Sequence, residues 1–170
     1  FIFVIAFIIF RNYLAKVKIN KILDKQKHEI ENLLLNILPK KIAKELRMYG
    51  VAKPRTYESV SVLFTDFIDF TKISERLTPV ELVTELNDYF VAFDNIMEKF
   101  NLEKIKTIGD AYMCAGGLPS KNDTHPFDSV MAALEMQKYM HEKNKASEAS
   151  GKYAWGLRIG IHTGPILAGV

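Results

Sequence analysis

The chain of 170 residues contains one cysteine, Cys114, which excludes an internal disulfide. Its apolar neighbours make it a small core residue in a reducing compartment. Charge of one sign is scarce too: 23 Lys and Arg against 20 Asp and Glu leave a net +3. That excess is too small to imply nucleic acid as a partner, and much of it is gathered near the N-terminus. No apolar run reaches the roughly 20 residues of a membrane-spanning helix. The run FIFVIAFIIF, residues 1–10, crosses only about half of a bilayer core of about 30 Å. No small-residue cleavage site follows it, which argues against a secretory signal. What remains is an ordinary globular composition, 48% hydrophobic and 25% charged, able to bury one core of normal size.

The apolar start is followed by Arg11, Lys16, Lys18, Lys21, Lys25 and Lys27, the basic flank that marks a cytoplasmic membrane boundary. Residues 1–11 therefore read as the end of a transmembrane helix, with everything after it on the cytoplasmic side. Residues 12–54 read as a juxtamembrane helix and linker. In it Ile19, Leu23, Gln26, Ile30, Leu33 and Ile37 alternate spacings of four and three, the heptad period of a parallel coiled coil with one polar layer. An amphipathic helix packed on its own domain has the same period, and that alternative stays open. Pro39 predicts a break at Leu38.

From residue 55 to 170 the pattern is that of a folded domain. Val60, Val62 and Phe64 alternate in a first strand ending at Asp66. Thr78, Pro79 and Glu81 supply a capping box for a helix with the apolar stripe Leu82, Leu86, Phe90, Phe93, Met97 and Phe100. LEKIKTIGDAYMCAGG, Leu102 to Gly117, is a hairpin turning at Gly109 and Asp110. A second helix is expected from Pro126 to Lys143, then a polar loop KASEASG, then a strand with Leu157, Ile159 and Ile161 on one side. The order strand, helix, strand, strand, helix, strand predicts an α+β, ferredoxin-like βαββαβ domain.

In that topology the third strand lies antiparallel beside the first, so Asp66 and Asp110 converge although they are far apart in sequence. Two neighbouring carboxylates repel unless a cation sits between them, and hard divalent ions such as Mg²⁺ or Mn²⁺ suit oxygen donors.

The segments VLFTDFIDFTKIS, EKIKTIGDAYMCAGGLP and LRIGIHTGPILAGV resemble the catalytic domain of class III nucleotidyl cyclases, and LLLNILP is similar to the linker of their membrane-bound bacterial members. The resemblance covers about residues 30 to 170. It implies that Asp66, Asp110 and the backbone carbonyl of Phe67 hold two metal ions, and that Phe67, Ile68, Asp69, Phe70 and Thr71 form the loop around the β- and γ-phosphates. Asp69 departs from the pattern, which often has Gly there. Such an acid should weaken phosphate binding unless it turns outward or pairs with Lys72.

The same resemblance makes Lys106 the base-selecting residue. An ammonium is a donor, which suits N1 of adenine, whereas guanine presents N1–H and an amine and wants a carboxylate. The implied reaction is conversion of ATP to 3′,5′-cyclic AMP and pyrophosphate by two-metal-ion catalysis. Lys104, expected on the same face as Lys106, matches a lysine shared by both nucleotide classes. Four strand steps, about 13 Å, separate Lys106 from Asp110, and in the family the site lies across a dimer interface. A homodimer is therefore expected, each Lys106 serving its partner's aspartates.

Gly116 and Gly117 lack the acid-acid-aromatic continuation of diguanylate cyclases. His162 reads as a structural strand residue, His125 as loop, and Gly156 and Gly160 as points of close backbone approach. The family domain continues past the position of Val170 with a second base-selecting residue, an Asn and an Arg, so residues 1–170 alone are expected to turn over little or no substrate. Two alternatives stand beside the adenylyl cyclase: a guanylyl cyclase, and a catalytically silent partner in a cyclase heterodimer.

Overall fold

The computed structural model describes residues 2–35, 38, 40–149 and 153–169. The chain divides into two compact units, residues 1–52 and 53–170. The first holds α1 (Ile2–Leu35) and α2 (Lys40–Tyr49). Leu38 is a bend between them, where the clash of Pro39 with a helical predecessor places it. Pro39 itself and Ile37, the last expected seam position, lie outside the described residues. Ile19, Leu23, Gln26 and Ile30 are exposed along α1. Among the described residues no helix is long and apolar enough to cross a membrane.

The second unit is a four-stranded sheet in the order β2-β3-β1-β4, with β1 Arg55–Ile68, β2 Glu103–Ile108, β3 Ala111–Gly116 and β4 Gly156–Ala168. Every neighbouring pair is antiparallel, as expected for β1 and β3. The connections are a single turn α3 (Phe70–Ser74), then α4 (Pro79–Lys99) and α5 (His125–Ala149). The expected capping box starts α4: Glu81 N–H donates to Thr78 Oγ1 and Thr78 N–H donates to Glu81 Oε2.

Val60, Val62 and Phe64 alternate in β1 as expected, and the strand continues past Asp66 to Ile68. Its register with β4 shifts between Tyr57 and Val60; beyond that point Leu63, Thr65 and Phe67 are buried on the helix-covered side with Ser61, and Val60 is buried as well. Val62, Phe64 and Asp66 therefore face the other side of the sheet, where Phe64 is 39% exposed. The core packs Leu63, Phe67, Tyr112 and Cys114 of the sheet on Tyr89, Phe93, Ile96 and Met97 of α4 and Ala132, Met136 and Met140 of α5. Trp155, just ahead of β4, closes one end. It stacks edge-on against Phe67 and donates from Nε1 to Glu85.

α5 runs on through KASEA to Ala149, where a loop was expected. Ala, Glu and Lys are strong helix formers, and their polarity suits a solvated helix end as well as a loop. Gly156 does pack closely on Ile68, but nothing lies within 4 Å of where a Cβ of Gly160 would stand, so close approach explains only one of the two.

Candidate functional site

Side chains paired across antiparallel strands share a face, so the register sorts the sheet into a helix-covered face and an open one. On the open face Lys106, Met113, Phe64 and Gly160 form one row across β2, β3, β1 and β4. Two residues further along β1, Asp66 lies opposite Arg158 of β4. The β1–β3 pairing ends at Thr65–Tyr112, one residue before Asp66 on β1 and two residues after Asp110 in the chain. Asp110 occupies the β2–β3 turn, after Gly109 at φ 62°. The left-handed conformation that this reversal needs is open to glycine without steric cost.

Asp66 is ion-paired with Arg158, whose guanidinium donates to Asp66 Oδ2. Sequence reasoning missed Arg158. Its signal was a cation placed to face the open side of a strand that the topology sets beside β1. Among the described residues no group of three or more His, Cys, Asp and Glu side chains that could hold a metal ion converges; Asp66 and Asp110 are the two acids that could face a cation here. The donor set fits a hard divalent ion: two carboxylates at adjacent strand ends, one of which already engages a positive group.

The segment after β1 resolves the question raised by Asp69. It adopts φ 55°, the left-handed region that Gly takes freely and Asp tolerates. Its carboxylate accepts from Lys72 Nζ at 2.7 Å on an exposed surface. The hydrogen bond and the charge of Lys72 hold its carboxyl below the usual carboxylate range. Phe70 and Thr71 open α3, while the side chain of Phe67 is buried in the core and Ile68 ends β1.

Lys104 and Lys106 do not share a face, contrary to expectation. The β2–β3 register pairs Lys104 with Cys114 and Lys106 with Met113, so Ile105 is an extra residue, a β-bulge that reverses the alternation. Lys104 lies on the helix side, 2.8 Å from the carboxylate of Asp94 on α4. Tyr112 donates its hydroxyl to the same carboxylate at 2.6 Å. Burial, then that hydrogen bond, push the Tyr112 phenol far up from its ordinary range. Lys106 faces the open side.

His125, expected in a loop, is buried as the first residue of α5. Its Nδ1 lies 2.8 Å from Ser61 Oγ, which in turn lies 2.6 Å from Thr163 Oγ1. Pro126 was the available signal, since proline suits the first helical turn as well as a loop. His162 is exposed on the open face opposite Val62.

Residues 52–170 match the family described as Adenylate and Guanylate cyclase catalytic domain. The chain belongs to this family of class III nucleotidyl cyclases. It is 38% identical over 151 residues to a receptor-type guanylate cyclase of Drosophila melanogaster, covering 88% of this chain and 10% of that protein. Among solved structures, the catalytic core of a rhodopsin-guanylyl cyclase with converted specificity, in complex with ATPαS, is similar with 33% identity and a TM-score of 0.64. That match covers 69% of this chain and 64% of that one. The adenylyl cyclase CyaB from P. aeruginosa is similar with 28% identity and a TM-score of 0.64, over 69% of this cyclase chain and 61% of that one. The chain thus spans about a tenth of the length of its receptor-type relative. Cyclase domains of this class use divalent metal ions and act on a nucleotide.

Proposed function

We propose that the protein converts ATP to 3′,5′-cyclic AMP and pyrophosphate at a site on the open face of the sheet. Lys106 carries the choice of base. Its ammonium can only donate, and it stands on the same face as Asp66. Adenine N1 accepts from such a group, whereas guanine N1–H and its amine would meet another donor.

Asp66 and Asp110, with the backbone carbonyl of Phe67, would hold two Mg²⁺ or Mn²⁺ ions. Such ions, when bound, supply neutralisation of triphosphate charge and a lowered pKa for a coordinated hydroxyl. The protein's own groups provide the positioning that phosphoryl chemistry depends on. The backbone N–H groups of Phe67 to Thr71 surround the outer phosphates, and the Asp69–Lys72 pair keeps the extra acid turned aside. A cation taking Asp66 would release Arg158 to face the anionic substrate. Lys106 orients the base so that the ribose 3′-oxygen points at the α-phosphorus, with pyrophosphate leaving in line.

The working unit in this reading is a homodimer, with Lys106 of one subunit serving the aspartates of the other. The exposed seam Ile19, Leu23 and Ile30 on α1 supports a coiled coil ahead of it. Residues 1–11 then close a membrane anchor, placing residues 55–170 at the cytoplasmic side.

Guanylyl cyclisation is the second reading, because the similar receptor-type protein is a guanylate cyclase. Overall similarity reflects the scaffold more than the base pocket. A guanylyl cyclase core of converted specificity that binds ATPαS is an example of one scaffold serving either base. The test is product formation by the full-length protein with ATP and with GTP, in Mg²⁺ and in Mn²⁺. Cyclic AMP in excess supports the proposal, cyclic GMP in excess supports the second reading, and neither product points to a silent partner.

A further inference from the structure

We infer that Trp155 is a positioning residue for the phosphate loop, holding Phe70 and through it the backbone of residues 67–71. The inference rests on the proposed placement of the outer phosphates at that loop. A loop that recognises phosphates through its N–H groups works best when those groups are fixed before the substrate arrives. This one has little of its own to fix it. Asp69 is left-handed, and the α3 that follows is five residues long with no buried residue, far short of a self-sustaining helix. The loop is anchored through its side chains instead. Phe70 and Ile73 pack on the core, and the Phe70 ring centroid lies 5.9 Å from that of Trp155. Among the described residues Phe70 has no other aromatic neighbour. Gly156, next in the chain, lies so close to Ile68 that a Cβ there would stand 2.9 Å from Ile68 Cδ1.

Trp155 is itself a fixed point. It is fully buried, and its indole N–H donates to Glu85 Oε2 of α4 at 2.7 Å. Its backbone N–H donates to Asn144 Oδ1 at 2.9 Å, and its carbonyl accepts from Asn144 Nδ2 at 2.8 Å. One side-chain amide of α5 thus satisfies both main-chain groups, and the ring is set against both helices. Phe67 and Phe70 depend on that ring unequally. Phe67 also meets Tyr89 at 5.2 Å and Phe93 at 6.5 Å, and its strand is paired with β4. Loss of the indole therefore leaves Phe67 and Asp66 supported and takes the support from Phe70. The consequence falls on the phosphate loop, with the carboxylates and Lys106 left as they stand.

The experiment uses the full-length protein and its variants Trp155→Leu, Trp155→Phe and Phe70→Leu. Three quantities are read: calorimetric affinity for pyrophosphate with Mg²⁺, amide hydrogen exchange of residues 69–73 relative to residues 61–65, and the ratio of kcat/KM for ATP over GTP. Trp155→Leu should weaken pyrophosphate binding about tenfold, the scale of one hydrogen bond to a charged group. It should speed exchange in residues 69–73 while residues 61–65 stay protected and the nucleotide ratio stays put, a combination that general loss of structure does not produce. Phe70→Leu acts from the loop side of the same contact, should move the same quantities, and decides the question where Trp155→Leu does not fold. Trp155→Phe keeps a ring against Phe70 and should regain most of the lost affinity. Exchange in residues 69–73 that stays at the wild-type value in the folded leucine variants overturns the tie between Trp155 and the loop. Faster exchange with unaltered pyrophosphate affinity overturns the positioning role from the other side: the tie stands and the assignment of residues 67–71 to the phosphates fails.

Discussion

Arg158 holds the carboxylate of Asp66 across the β1–β4 pair, one step of register from the turn that carries Asp110. The pairing keeps an acidic residue on a largely apolar sheet face neutralised, and it places a cation in competition with any metal for the same oxygen. Arg158→Met should therefore tighten Mn²⁺ binding several-fold in calorimetric titration while lowering turnover about a hundredfold, since a positive group facing the substrate is lost. Weaker Mn²⁺ binding in this variant would contradict the competition.

The left-handed Asp69 offers a second test. Asp69→Gly removes the Cβ strain of that conformation, which costs about 1 kcal/mol in non-glycine residues, and removes a negative charge beside the proposed phosphate loop. The KM for nucleotide should fall several-fold with kcat little changed. A raised KM would mean that the Asp69–Lys72 pair builds the loop rather than merely holding the acid aside.

Thr78→Ala breaks the reciprocal cap of α4 and should cost about 1 kcal/mol in urea denaturation, in line with other N-cap losses. An unchanged midpoint would show that packing of Tyr89, Phe93 and Met97 holds the helix end without it.

Cys114 is fully buried in β3, and burial pushes its thiol up to about 12. A thiol so placed is protonated and shielded at pH 8, and the thiolate is the reactive form. Iodoacetamide should leave the native protein unlabelled over hours and modify one site per chain once denaturant is added. Rapid stoichiometric labelling of the folded protein would place Cys114 outside the core.

Features written in local chemistry were legible in the sequence. Thr78, Pro79 and Glu81 announced the start of α4, and Gly109 with Asp110 announced the hairpin turn, because capping and turn geometry depend on a few adjacent residues. The antiparallel pairing of β1 with β3 followed from the expected strand order. Features decided by tertiary contact were not legible. The bulge at Ile105 has no signature in the local spacing of β2, so plain alternation set Lys104 and Lys106 on one face. Alternation set Val60, Val62 and Phe64 on one face of β1, but which face meets the helices was decided by packing, which took Leu63 and Phe67 into the core. Arg158 acquired meaning only from the residue opposite it, and His125 only from the hydroxyls of Ser59 and Ser61 that surround its ring.

The claim that Lys106 and the Asp66 centre serve one nucleotide from two subunits is tested most directly by complementation. Full-length Asp66→Ala and Lys106→Ala subunits are made separately and then co-expressed, with cyclic nucleotide production measured in each purified dimer. Each variant alone should be inactive, and the mixed dimer should recover a fraction of wild-type activity from its one intact site. A mixed dimer that is folded and assembled yet produces no cyclic nucleotide contradicts the account.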